Sequence, residues 1–129
     1  MKRNYTMMQF FEWHVESDGA HWNRLKDAAS ELKQKGISSV WIPPVTKGQS
    51  DKDTGYGTYD LYDLGEFDQK GSVRTKYGTK QQLIDAITAC HEHGLAVYVD
   101  LVMNHKAGAD ETEKIKVIEV DGNNRTKEI

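Results

Sequence analysis

Three short stretches hold the residues whose types could do chemistry: Gln9-Phe10-Phe11-Glu12-Trp13, Gly55-Tyr56-Gly57 and Asp100-Leu101-Val102-Met103-Asn104-His105. Aromatic rings offer flat apolar faces, and an amide or imidazole directs hydrogen bonds along fixed lines. That combination suits a sugar, whose ring presents C–H faces and directional hydroxyls. Gln9, Trp13, Tyr56, Asp100 and His105 are therefore the candidate ligand-binding residues. Asn104 offers a side-chain carbonyl oxygen, a donor that suits calcium. Each of these also has a plainer reading. By type, Trp13 and Trp41 belong in a core. Tyr56, between two glycines of a polar loop, and Asp100, at the end of an apolar strand, read equally as site or support. Taken alone, His105 is a surface histidine and Asn104 a turn residue.

The elements that must position these residues follow from periodicity. Residues 7–11 form a short apolar run, read as a strand, and Asp18-Gly19 marks a turn. Between 20 and 35, Trp22, Leu25, Ala29 and Leu32 fall on one helical face, and Gly36 stops the helix. Residues 37–42 form a second strand, ended by Pro43-Pro44. A long polar, glycine-dotted loop covers 47–76. Thr79 and Gln82 form a capping box that opens a second helix, with Leu83, Ala86, Ile87 and Cys90 on its apolar face and Gly94 at its end. Residues 95–103 are apolar apart from Asp100 and read as a strand covered on both faces. Beyond His105, residues 106–113 are a polar loop, 114–120 alternate like a half-exposed strand, and 121–124 form a turn.

Strand, loop, helix, glycine, strand thus occurs twice, which is the alternation of a parallel α/β sheet. In such sheets the working loops lie at the carboxyl ends of the strands. All three candidate stretches fall there. An open doubly wound sheet is the alternative to part of a barrel. The glycine fingerprint that often cradles phosphate in that fold is absent, and Gly55-Tyr56-Gly57 lies mid-loop rather than after a strand.

A net charge of −3 with no basic stripe speaks against nucleic acid, and no apolar run is long enough for a membrane span. The opening Met1-Lys2-Arg3-Asn4-Tyr5 leads into no apolar segment of a secretory signal. The single cysteine, Cys90, cannot form an internal disulfide and reads as a small buried hydrophobe. Both features predict a cytoplasmic protein.

The hexapeptide from Asp100 to His105 resembles the first conserved segment of the alpha-amylase family of glycoside hydrolases. Gln9-Phe10-Phe11-Glu12-Trp13, Val40-Trp41-Ile42-Pro43-Pro44, Gly55-Tyr56-Gly57-Thr58-Tyr59-Asp60-Leu61-Tyr62-Asp63-Leu64-Gly65-Glu66-Phe67 and Lys76-Tyr77-Gly78-Thr79 are similar, in order and spacing, to the bacterial liquefying members, and the stretch from Ala109-Asp110-Glu111 to Arg125 resembles the cytoplasmic bacterial members. His105-Lys106-Ala107-Gly108-Ala109-Asp110 is similar to the opening of a domain inserted after the third barrel strand. The resemblance implies an α/β fold that is a partial TIM (β/α)8 barrel: three strands and two helices in 1–105, then the start of an inserted β-rich, calcium-binding domain in 106–129.

For the site, the resemblance implies that His105 hydrogen-bonds the sugar beside the scissile bond and that Tyr56 stacks on it. Asp100 would brace the strand end, Gln9 and Trp13 would line the cleft more peripherally, and Asn104 would coordinate a structural Ca2+. The expected activity is endo-hydrolysis of alpha-1,4-glucan with retention. The family's catalytic carboxylates lie on later barrel strands, so none is expected in residues 1–129 and the piece alone is expected to be inactive. The alternatives are a non-catalytic glucan-binding module and an unrelated small α/β domain. The expected partners are alpha-1,4-glucan and either the remainder of the barrel or a second copy meeting the open sheet edge.

Overall fold

A computed structural model describes residues 4–129; Met1 to Arg3, the start of the basic opening, lie outside the described residues. Strands β1 (Met7–Gln9), β2 (Ser39–Ile42) and β5 (Ala96–Val99) form a parallel sheet in the order β1-β2-β5. The register pairs Met8 with Val40, and Val40 with Val97. Helix α1 (His21–Gln34) connects β1 to β2, and α2 (Lys80–Glu92) precedes β5. The two helices share one core with the sheet: Trp22, Leu25, Ala29 and Leu32 from α1, Leu83, Ala86 and Cys90 from α2, and Val40 and Ile42 from β2.

Local rules explain both helices. At Thr79 the capping box is complete: the Thr79 hydroxyl accepts from the Gln82 N–H (3.3 Å) and the Gln82 side chain accepts from the Thr79 N–H (2.8 Å). Both helices end in the same left-handed device. Gly36 (φ +87°) and Gly94 (φ +72°) donate to the carbonyls of Lys33 and His91, while Ile37 and Leu95 donate to those of Leu32 and Cys90. The internal rhyme in the sequence is thus a repeated hydrogen-bond pattern that turns each helix into the following strand.

Three expectations need correction. Residues 95–103 do not form one doubly covered strand: β5 spans only Ala96–Val99, and Tyr98 is 55% exposed. β5 is an edge strand, with β2 its one partner among the described residues. Residues 114–119 do not form a strand, although they alternate. Nothing packs on their apolar side chains, Ile115 being 71% exposed, and alternation without a surface to bury against specifies no ladder. The hairpin lies further on, pairing β6 (Val120–Asp121) with β7 (Asn124–Glu128) around the expected turn. Finally, the loop 47–76 contains a short antiparallel pair, β3 (Lys47–Gly48) with β4 (Thr58–Asp60).

That loop is organised by a buried charge. Lys47 is inaccessible to solvent, and its ammonium donates to the carbonyls of Phe67 (2.9 Å), Ser72 (2.6 Å) and Val73 (2.6 Å), with Asp63 Oδ2 at 3.4 Å. Asp63 Oδ1 accepts from the N–H groups of Gly65 (2.8 Å), Glu66 (2.9 Å) and Phe67 (3.4 Å), and Oδ2 from Gln69 Nε2 (3.0 Å). Replacing Lys47 by alanine strands three carbonyls and a buried carboxylate. The expected cost is about 3–5 kcal/mol, read from urea melts of Lys47→Ala against wild type in the complete polypeptide. A loss within the scatter of surface substitutions would show that this pair does not organise the loop.

Candidate functional site

The carboxyl ends of the three parallel strands continue as ordered backbone. Phe10 N–H donates to Trp41 O (2.9 Å) and Asp100 N–H to Ile42 O (3.1 Å), which brings the segments after β1 and β5 to the same end of the sheet. The loop after β2 closes over this end. A Cβ on Gly55 (φ +97°) would lie 2.6 Å from Pro44 Cβ, so only glycine lets the loop run against the proline that stops the strand.

Tyr56 is the hub of the cluster. Its ring lies parallel to Trp13, with centroids 6.2 Å apart and planes inclined by 10°. Its hydroxyl donates to Asp100 Oδ2 (2.9 Å), and its carbonyl oxygen lies 2.7 Å from His105 Nε2. A carbonyl can only accept, so Nε2 carries the proton. His105 Nδ1 then accepts from the Asn104 amide nitrogen at 3.2 Å, and the neutral imidazole satisfies both contacts. The same bond orients the Asn104 amide and leaves its Oδ1 available as an oxygen donor.

The structure therefore brings Trp13, Tyr56, Asp100, Asn104 and His105 into one connected group. Trp13 is 65% exposed, which corrects the reading of this tryptophan as a core residue. Trp41 is half-buried and packs edge-on against Phe11, with centroids 5.3 Å apart. Gln9 stands a little apart: its side chain donates to Phe11 O (3.0 Å) and lines a cavity of about 340 Å³ with Trp13, Thr54, Tyr56 and Tyr77. Thr54 and Tyr77 were not singled out in the sequence. Tyr77 is buried and donates to Thr54 O (2.8 Å), which braces the cavity wall. Its place in Lys76-Tyr77-Gly78-Thr79 was the available signal. A larger cavity, about 750 Å³, lies at the other end of the sheet, lined by residues such as Tyr5, Met7, Ser38 and Ala96 and by none of the clustered residues.

No group of three or more His, Cys, Asp or Glu side chains converges as a metal site among the described residues. Asn104 supplies one oxygen of suitable chemistry. That fits a corner of a calcium shell, which takes six to eight oxygens, and not a complete one.

Three parallel strands with two intervening helices, and an aromatic, carboxylate and imidazole cluster at the strands' carboxyl ends, define a segment of a parallel α/β protein whose candidate site lies where such folds carry their working loops. Residues 15–126 match the family model described as alpha amylase, catalytic domain, and the chain belongs to the alpha-amylase family of glycoside hydrolases. The glucan 1,4-alpha-maltohexaosidase of Bacillus sp. (strain 707) is 61% identical over 126 residues, covering 98% of this chain and 24% of that protein. The alpha-amylase of Bacillus licheniformis is 55% identical over 98% of this chain and 25% of its own length. The cytoplasmic alpha-amylase of Escherichia coli (strain K12) is 48% identical over 97% of this chain and 26% of its own. The chain thus spans about a quarter of the length of these relatives. Among solved structures, an alternansucrase in complex with isomaltononaose superposes with a TM-score of 0.64 at 26% identity, over 77% of this chain and 9% of that one. Among the described residues no helix is long and apolar enough to cross a membrane.

Burial first, and then the bond to Asp100, push the Tyr56 phenol from its ordinary 10.0 up to about 12. A raised value in the folded state means that the folded form holds this proton more tightly. Its contribution to stability is complete below about pH 10 and is lost as pH rises toward 12. Ultraviolet titration of the complete polypeptide should show a late-ionising tyrosine that is missing in Tyr56→Phe. An unchanged titration in that variant would contradict the assignment.

Proposed function

We propose that these residues form the first three strands of the barrel of an endo-acting alpha-amylase, which hydrolyses alpha-1,4-glucosidic bonds in starch or glycogen with retention. The observation that carries this reading is the Tyr56 platform, stacked with Trp13 and tied to both Asp100 and His105. In this reading Tyr56 stacks on the sugar next to the scissile bond. His105 directs its Nε2–H toward a hydroxyl of the same sugar, which competes with the Tyr56 carbonyl for that proton. Asp100 holds the Tyr56 hydroxyl and so fixes the platform. Gln9 and Trp13 line the cleft further out. Residues 106–129 begin the inserted domain, and the exposed Tyr98 and Val99 of β5 are covered by a following barrel strand.

The paired carboxyls that a retaining mechanism needs, about 5 Å apart with one as nucleophile and one as acid, are assigned to segments other than these residues. The 129-residue piece alone should therefore release no reducing sugar from starch, while the complete polypeptide should release products whose new ends are first α-anomers by proton NMR. Tyr56→Ala and His105→Ala in the complete polypeptide should each lower kcat/KM by a few kcal/mol equivalent, as for loss of a positioned transition-state contact. β-Anomers as first products would refute retention, and unchanged kinetics in both variants would remove these residues from the site. Fractionating the cells for the same assay tests a cytoplasmic location, which the unpaired, buried Cys90 and the likeness to the E. coli protein support. Activity in the medium would overturn it.

Calcium, when bound, would pin strand and inserted domain together, with Asn104 Oδ1 as this chain's ligand. Asn104→Ala should lower the melting temperature of the complete polypeptide much more with calcium present than after chelation. Equal losses in both conditions would leave Asn104 as a plain turn residue.

A further inference from the structure

The turn that presents Tyr56 is held by a side chain rather than by its own ladder. β3 and β4 meet with a register shift beside Gly48, and past it the Gln49 N–H reaches Gly57 O (3.1 Å). Beneath the turn lies the carboxylate of Asp53. Its Oδ1 accepts from the N–H of Gly55 (2.7 Å) and from the N–H of Gly57 (3.0 Å), the two amides that flank Tyr56. A bond to Ser50 O (3.2 Å) fixes the Asp53 backbone. The surrounding chain fits only around this carboxylate: a Cβ on Gly57 would fall 2.2 Å from Asp53 Oδ2, and one on Gly48 would fall 2.6 Å from Asp53 Cβ.

Asp53 touches neither Trp13 nor Asp100 in any hydrogen bond or ring contact described above. What it controls is the backbone on both sides of the residue that touches both. A shift of the Gly55 and Gly57 amides moves the Tyr56 ring across Trp13, its hydroxyl away from Asp100, and its carbonyl away from His105 Nε2. One carboxylate oxygen is thus linked, through the backbone on either side of Tyr56, to the contacts that Tyr56 makes with Trp13, Asp100 and His105.

We propose that Asp53 is a positioning residue for glucan binding, acting through Tyr56. The inference rests on the reading of Tyr56 as a sugar-contacting residue. Both bonds need an acceptor at Oδ1 and neither needs the negative charge, so asparagine can preserve them in part. Alanine leaves two partly buried N–H groups without an acceptor.

The test is a double-mutant cycle in the complete polypeptide, with kcat/KM measured on a soluble maltooligosaccharide. Asp53→Ala should lower kcat/KM on the order of ten- to a hundredfold, the scale of misplacing a contact group by about an ångström. Asp53→Asn should recover part of that loss. In a Tyr56→Ala background, Asp53→Ala should cause little further loss of kcat/KM, because the group it positions is gone. Its effect on the melting temperature should persist in that background, which separates positioning from stability. If Asp53→Ala does not fold, Asp53→Ser, whose hydroxyl is one atom short of the Oδ1 position, takes its place in the cycle under the same criteria. Wild-type kcat/KM in Asp53→Ala, or losses that multiply in the double variant, would overturn the proposal. Wild-type kinetics in Tyr56→Ala alone would instead overturn the underlying site reading, and this inference with it.

Discussion

The ion pair of Lys47 with Asp63 is the constraint on which the working end of this molecule depends. A buried ammonium and a buried carboxylate are each costly to strip of water, and their attraction alone rarely repays that cost. Here every lone pair and proton has an assignment. Lys47 is surrounded by three carbonyls and the carboxylate, and Asp63 by three backbone N–H groups, Gln69 and Lys47. Burial pushes the Asp63 carboxyl up, but the amides and the neighbouring ammonium outweigh it and hold the group below its usual range. The arrangement serves shape more than stability. An apolar pair could fill the same volume, but it could not collect backbone from positions 63 to 73 onto one point.

Further contacts tie the loop to its surroundings. Lys47 opens β3, and β3 aligns β4, whose Thr58 carbonyl receives the Ala107 N–H (2.8 Å). Tyr59 and Lys70 then bind the two oxygens of Asp110 at 2.7 and 3.0 Å, fixing the chain just beyond His105. On the other side, Arg74 reaches back to Ser17 O and Asp51, tying the loop to the entry of α1. Tyr77 packs against His21 and Trp22, joining the loop to the helical core. His21 bonds Phe10 O through Nε2, and burial lowers its proton affinity. The chemistry-bearing side chains are thus held between the parallel sheet and a loop with its own polar interior.

How much of this could be read in advance depends on the range over which each rule acts. The helices were legible almost to the residue because their ends obey nearest-neighbour rules: Thr79 with Gln82, and glycine at 36 and 94. Strand positions were legible from Val40-Trp41-Ile42 and Val97-Tyr98-Val99, but not their lengths, which depend on what covers them. Lys47 was invisible, since a lysine in a polar loop ordinarily faces water. Trp13 misled by type, because a tryptophan is more often buried than held as an open platform. Five of the six candidate site residues meet in space, yet Tyr56 and His105 are 49 residues apart, and no local pattern announces the bond between the carbonyl of one and the imidazole of the other. The family likeness pointed to the pair; the loop's polar interior is what brings them together.

Cys90 has a consequence of another kind. It is fully buried between α2 and the rest of the core, and burial lifts its thiol to about 11, so at neutral pH it is both sealed and protonated. An electrophile can reach it only when α2 lifts from the sheet. As the one cysteine of these 129 residues, Cys90 serves as a chemical clock for this core. The rate at which a thiol reagent labels Cys90 counts how often this helix opens, independently of anything that happens at the opposite end of the sheet, where Tyr56 and His105 meet.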